Sequence, residues 1–172
     1  MSLSVMIRTW TGPSTERLEA AYTRFGGDAD FISQLIGCMD DPSMERAATW
    51  LLKHHLEQVG SSCSVQESAG LYRRAPKLAH WESRLHVLQS MRFVPVPARQ
   101  ARAAERFLDA CLAEDNKFVR AWAYSGYYEL AAVHDRYREE TLAMLEDAIA
   151  HEEAASVRAR VRKLLRVGFP AG

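Results

Sequence analysis

The sequence is poor in most of the features by which a chain declares its chemistry. It has three cysteines, Cys38, Cys63 and Cys111. That number cannot pair into a disulfide framework and fits a reducing compartment. It has no formal net charge, because 22 Lys and Arg stand against 22 Asp and Glu. This balance excludes bulk attraction to nucleic acid or to an anionic membrane, and leaves room for a local basic patch. No stretch approaches the roughly 20 apolar residues that a membrane span needs. The opening MSLSVMIRTW has too short an apolar run, and no small-residue cleavage site after it, for a secretory leader. The expected location is the cytoplasm, with no membrane association. Strict polar–apolar alternation over four to eight residues, the signature of a half-buried strand, is missing throughout.

Catalytic spacings are missing too. There is no HExxH, no CxxC and no EF-hand acid pattern. His54 and His55 are adjacent on one helix and point to different sides, and His80 and His86 are six apart, so neither pair can chelate. Gly12, Gly26 and Gly27 sit in no phosphate-loop pattern, and no GxSxG nucleophile elbow occurs. Cys111 falls on an apolar stripe and reads as a small core residue. No catalytic residue, metal site or cofactor is expected, and an enzyme is the weaker class.

What the sequence does contain is helical periodicity, punctuated by proline. Pro13, Pro42, Pro76, Pro95, Pro97 and Pro170 all fall between apolar stripes, where a ring that forbids helix interiors is tolerated. Leu18, Tyr22 and Phe25 form one stripe, ended by Gly26 and Gly27. Phe31, Ile32, Leu35, Ile36 and Met39 form another, and Met44, Ala47, Ala48, Leu51, Leu52 and Leu56 a third. Residues 59 to 77 have weak periodicity and are expected to be a loop holding a short, poor helix. The stripe resumes with Leu78, Trp81, Leu85, Leu88 and Met91, and residues 92 to 98 form an extended connector. Four further faces follow, built on Phe107, Leu108, Cys111 and Leu112; on Val119, Ala123, Gly126 and Leu130; on Leu142, Leu145 and Ile149; and on Val157, Val161, Leu164 and Leu165. The expected fold is all-α.

The long stripes begin alike: DDPSMERAATWLL from Asp40, HWESRLHVLQ from His80, DNKFVRAWAYSGYYEL from Asp115 and EEAASVRARVRKLL from Glu152. Arg46, Arg84, Arg120 and Arg158 lie 38, 36 and 38 residues apart. In the last two units an acid, Asp115 or Glu153, precedes the arginine by five residues, and Val119 or Val157 stands directly before it. This pattern resembles the HEAT repeat family, in which antiparallel helix pairs of about 40 residues stack into a superhelix. In the first unit Met44 and Glu45 fit the Val-Arg positions equally well, and Ser83 stands where valine is expected in the second. The string from Trp81 to His86 is also similar to segments of small bacterial HEAT-like proteins with no established activity. The resemblance implies a short α-α superhelix of about four helix pairs over residues 14–168, with an N-terminal extension at 1–13 and a tail at 169–172. It further implies that Arg84, Arg120 and Arg158 are structural.

Rotation by 100° per residue from these registers gives the side of each second helix that faces away from the core. Positions one, two, five and eight after the arginine are Ala121, Trp122, Ser125 and Tyr128 in the third unit, and Ala159, Arg160, Lys163 and Arg166 in the fourth. In the first unit, with Glu45 at the arginine position, the exposed residues are Arg46, Trp50, Lys53 and, one step on, His54, and the strip on the concave face is Arg46, Trp50, His54, Trp122, Tyr128, Lys163 and Arg166. Trp, Tyr and Arg anchor interfaces because they combine large contact area with a polar handle. Five cations between Arg158 and Arg166 follow six acids between Glu139 and Glu153, a segregation that the zero net charge conceals. The function expected is recognition of a protein partner by a non-catalytic scaffold. The alternative is nucleic-acid binding or base excision by a HEAT-like glycosylase, which uses a basic, aromatic face and a carboxylate near the lesion.

Overall fold

A computed structural model of the chain describes residues 1–12, 14–60 and 63–169. Pro13 and Pro170 lie outside them. Regular structure among the described residues is entirely helical: α1 (Leu3–Arg8), α2 (Glu16–Phe25), α3 (Phe31–Cys38), α4 (Glu45–Val59), α5 (Val65–Arg74), α6 (Trp81–Ser90), α7 (Ala101–Leu112), α8 (Lys117–Val133), α9 (Arg138–His151) and α10 (Ala155–Val167).

Alternate helices form two rows. α4 packs on α6, α6 on α8 and α8 on α10, while α3 packs on α5 and α5 on α7. Sequence neighbours pack as well, α3 on α4, α7 on α8 and α9 on α10, so that stripes no single helix can bury become one continuous core. A smaller cluster of Ala121, Leu145, Ala148, Val157 and Val161 seals α8, α9 and α10 together. Ala121, expected on the exposed side of α8, belongs to this cluster instead.

Two segments read as peripheral contribute to the interior. Within the expected extension, Ser2 caps α1 by accepting from Val5 N–H, and Leu3 and Ile7 of that helix are fully buried. Within the expected loop at 59–77, α5 is a regular ten-residue helix. It begins with a capping box, in which Ser64 Oγ accepts from Glu67 N–H while the Glu67 carboxylate accepts from Ser64 N–H. Its buried side includes Ser68 and Gly70, residues too small and polar to register as an apolar stripe, beside fully buried Leu71 and Tyr72. The Tyr72 hydroxyl donates to the Val94 carbonyl, tying α5 to the extended connector. Tyr72→Phe leaves that buried carbonyl unpartnered and is expected to cost about 1–2 kcal/mol in urea unfolding.

The repeating arginines share one geometry. Arg84, Arg120 and Arg158 reach back to the carbonyls of Leu78, Glu114 and Glu152, six residues earlier in each case. Arg120 and Arg158 also bond the carbonyls of Asp115 and Glu153. Asp115 and Glu153 supply only backbone here, and the acids that pair lie one position earlier. Arg84 forms an ion pair with Glu114, and Arg120 forms a two-pronged pair with Glu152 at 3.1 and 2.8 Å. Each acid sits in the loop ahead of the next long helix, so each pair fastens one helix pair to its successor. Glu45 holds the equivalent place at the other end. Its buried carboxylate accepts from Ala79 N–H at 3.1 Å and His80 N–H at 3.0 Å, at the N-terminus of α6, where helix-dipole charge favours an anion.

Candidate functional site

The exposed side of α4, α6, α8 and α10 carries the expected strip, but α6 lies between α4 and α8 and divides it in two.

At the α4 end the side chains contact one another, although the buried Arg46 Nε has no hydrogen-bond partner among the described residues. The Arg46 guanidinium lies over the Trp10 ring at 5.3 Å and pairs with Glu82 at 3.2 Å. Trp50 and His54, one helical turn apart, stack at 4.9 Å with ring planes 8° apart. His54 in turn meets the edge of Tyr22 at 4.7 Å. Trp50 is half-buried against the core.

Beside this group, His86 of α6 has Nδ1 at 3.1 Å from the Thr49 hydroxyl oxygen. Thr49 donates its own proton to the Glu45 carbonyl at 2.9 Å, so His86 is the donor in this contact. Burial, reinforced by Lys53 and Arg46, pushes the His86 imidazole down to about 3 from an ordinary 6.5. The folded state therefore holds His86 neutral while the unfolded chain takes up a proton below pH 6.5. Stability from this group is complete above pH 6.5 and is lost as the pH falls toward 3, by up to about 1.4 kcal/mol per pH unit. A His86→Gln variant should show a shallower decline in urea-unfolding free energy between pH 6.5 and 4 than the wild type; equal slopes would refute the assignment.

The α10 end is different. A cleft of about 270 Å³ opens between α6, α8 and α10, lined by Leu88, Arg92, Trp122, Ser125, Tyr128, Glu129, Arg160, Lys163, Leu164 and Val167. Its lining mixes apolar and polar side chains. Arg160 lies 3.8 Å above the Trp122 ring and donates to Ser125 Oγ at 3.3 Å. Tyr128 is held at one end, its hydroxyl donating to the Gly168 carbonyl at 2.7 Å and its ring stacking on Phe169 at 5.2 Å. Gly168 has φ +65°, a left-handed value suited to glycine, and so turns the chain off the end of α10 toward α8.

The charges in the cleft are not internally matched. Burial pushes the Glu129 carboxyl up, in spite of Arg92 nearby. Burial and the charge of Arg92 push the Arg160 guanidinium down. Among the described residues neither Arg92, Arg160 nor Lys163 forms an ion pair. The acids of α9 do not neutralise α10 either: Asp147 pairs with His151 on its own helix, and Glu152 is taken by Arg120.

Of the seven strip residues, Trp122, Tyr128 and Lys163 thus meet in one cleft. Arg46, Trp50 and His54 form a separate cluster, and Arg166 is exposed and lines neither. Arg92, Glu129 and Arg160 complete the cleft and were not in the strip. Arg160 occupies the register that placed Lys163 there, whereas Arg92 lies in a 3-10 turn after α6 that helical periodicity does not extend to.

No group of three or more His, Cys, Asp or Glu side chains among the described residues is arranged to hold a metal ion. Burial pushes the thiols of Cys63 and Cys111 up to about 11 and about 12. Both therefore remain thiols rather than reactive thiolates. Among the described residues no helix is long and apolar enough to cross a membrane. In comparisons with known proteins, no family model, no curated protein and no solved structure matches the chain.

Proposed function

We propose that the chain is a HEAT-like α-solenoid serving as a binding module, which takes a protein segment on the face formed by α4, α6, α8 and α10. The solenoid part of this reading is supported by the spacing of Arg84, Arg120 and Arg158 and by the stacking of each long helix on the long helix two elements away. One observation carries the binding part. The cleft beside α8 combines Trp122 and Tyr128 with three cations that form no ion pair among the described residues. Aromatic and arginine side chains held in a preformed depression are the usual anchors of recognition.

Pull-downs with the wild type and with a Trp50→Ala, Trp122→Ala, Tyr128→Ala variant test it, using as control a Val65→Ser, Arg99→Ala variant in a separate pocket between α5 and the turn before α7. Partners retained by the control and lost by the triple variant are the expected result, with circular dichroism to establish that the variants fold. Equal recovery by all three proteins sinks the assignment to this face.

A second reading, nucleic-acid binding or base excision, draws on the presence of Glu129, a half-buried carboxyl in a basic, aromatic cleft. It requires DNA affinity that falls steeply with salt as counterions are released. Gel shifts at low salt without retention of DNA would remove it.

A further inference from the structure

Three cations converge on the cleft from two elements: Arg92 from the turn after α6, and Arg160 and Lys163 from α10. Among the described residues Glu129 is the only acid in the lining, which gives them a local excess of two positive charges. Arg92 and Arg160 are close enough that the charge of one disfavours the charge of the other. An anionic group placed between them would replace that repulsion with charge-assisted hydrogen bonds, the stronger class in proteins. Leu88, Trp122 and Leu164 contribute apolar lining to the same space of about 270 Å³. At about 30 Å³ per water this is room for one or two side chains rather than for an extended polymer.

We propose that this cleft anchors an acidic peptide segment, one carboxylate held among Arg92, Arg160 and Lys163 with a neighbouring apolar side chain on Leu88, Trp122 and Leu164. The proposal rests on the binding-module reading and narrows it to one end of the face and one partner chemistry. Charge decides against a polyanion as occupant. A nucleic acid needs a track of cations, whereas beyond the cleft the strip offers Arg46, already paired with Glu82, and one exposed arginine, Arg166.

The test uses the full chain and three fluorescein-labelled probes: a decapeptide with two adjacent Glu flanked by Leu, the same peptide with Gln for Glu, and a thymidine decanucleotide. Binding is read by fluorescence polarisation, and location by the indole N–H resonance that Trp122→Phe removes. The Glu peptide should bind, shift the Trp122 indole, and exceed the Gln peptide by about tenfold in affinity. Arg92→Gln with Lys163→Gln, both at exposed positions, should weaken it by a similar factor. Glu129→Gln removes the opposing acid and should tighten binding severalfold, a direction that a damaged fold does not produce. Equal affinity for the two peptides, no binding of the Glu peptide, or tighter binding of the oligonucleotide overturns the proposal. A Glu peptide that moves the Trp50 indole and leaves Trp122 unmoved also overturns the anchor, yet leaves the wider face assignment standing.

Discussion

Replacing Arg120 with methionine is expected to lower the free energy of unfolding by about 3 kcal/mol, because it strands a charge that the fold has taken out of water. The Glu152 side chain is only 8% exposed and that of Arg120 is 20% exposed. One guanidinium supplies four hydrogen bonds, two to the Glu152 carboxylate and one each to the carbonyls of Glu114 and Asp115. Methionine keeps the apolar stem and removes all four donors. Chemical denaturation of the single variants and of Arg120→Met with Glu152→Gln would separate the pair from its backbone contacts. The double variant should recover part of the loss, since the stranded charge is then gone.

The same pair has a pH signature. The Arg120 hydrogen bonds hold the Glu152 carboxyl below its ordinary 4.5. A carboxyl lowered by folding stabilises fully above its unfolded value, and that contribution disappears as the pH falls through the folded one. The gap between wild type and Arg120→Met should therefore be widest near neutrality and narrow below pH 4.5. A gap that stays constant from pH 7 to pH 3 would mean that packing of the stem, not the charge, is what was lost.

Gly126→Val is the second large effect, at about 3 kcal/mol destabilising. Gly126 lies in α8 where that helix is crossed by α7 and α6. A Cβ there would sit 2.9 Å from Met91 Sδ and 3.4 Å from Leu88 Cδ2, and closer still to Leu108 Cδ2. All three are ends of flexible side chains. Gly126→Ala can therefore displace them modestly while gaining about 1 kcal/mol of helix propensity, and should stay within about 1 kcal/mol of the wild type. Valine adds two further carbons and a stiff branch that the preceding turn restricts. The contrast between the two variants, read from thermal and urea unfolding, is diagnostic. If both are harmless, the close approach of α6, α7 and α8 at this point is wrong.

Helical class and most element positions were legible because a 3.6-residue period survives in any helix that buries large apolar residues. α5 was misread for the converse reason: Ser68 and Gly70 fill its buried side, so the period fades although Ser64 and Glu67 spell a capping box. The arginine spacing was legible as a repeat, but its partners were not. Spacing locates an acid five residues before Arg120 and before Arg158, whereas the bonds that form run from one unit to the loop of the next, through Glu114 and Glu152. Spacing along a chain does not encode which loop comes to rest beside which helix. The cleft was half legible. Trp122, Tyr128 and Lys163 follow from helical rotation, but Arg92 arrives from a 3-10 turn, and the pairing of Arg46 with Glu82 depends on the approach of α4 to α6.

The separate cluster that joins α8 to α9 and α10 has a dynamic corollary. Those last two helices adhere through a small interior of their own, built on Leu145, Ala148, Val157 and Val161, and through the Arg120–Glu152 tie. Protection against amide hydrogen exchange should accordingly fall into two tiers, with α10 opening by a sub-global event while α4, α6 and α8 exchange only on full unfolding. Since one wall of the cleft is α10, an occupant bridging Arg92 and Arg160 would bind the closed form alone. Exchange along α10 would then slow in proportion to occupancy, so the end of the chain that lets go first would also report most sensitively that something is bound.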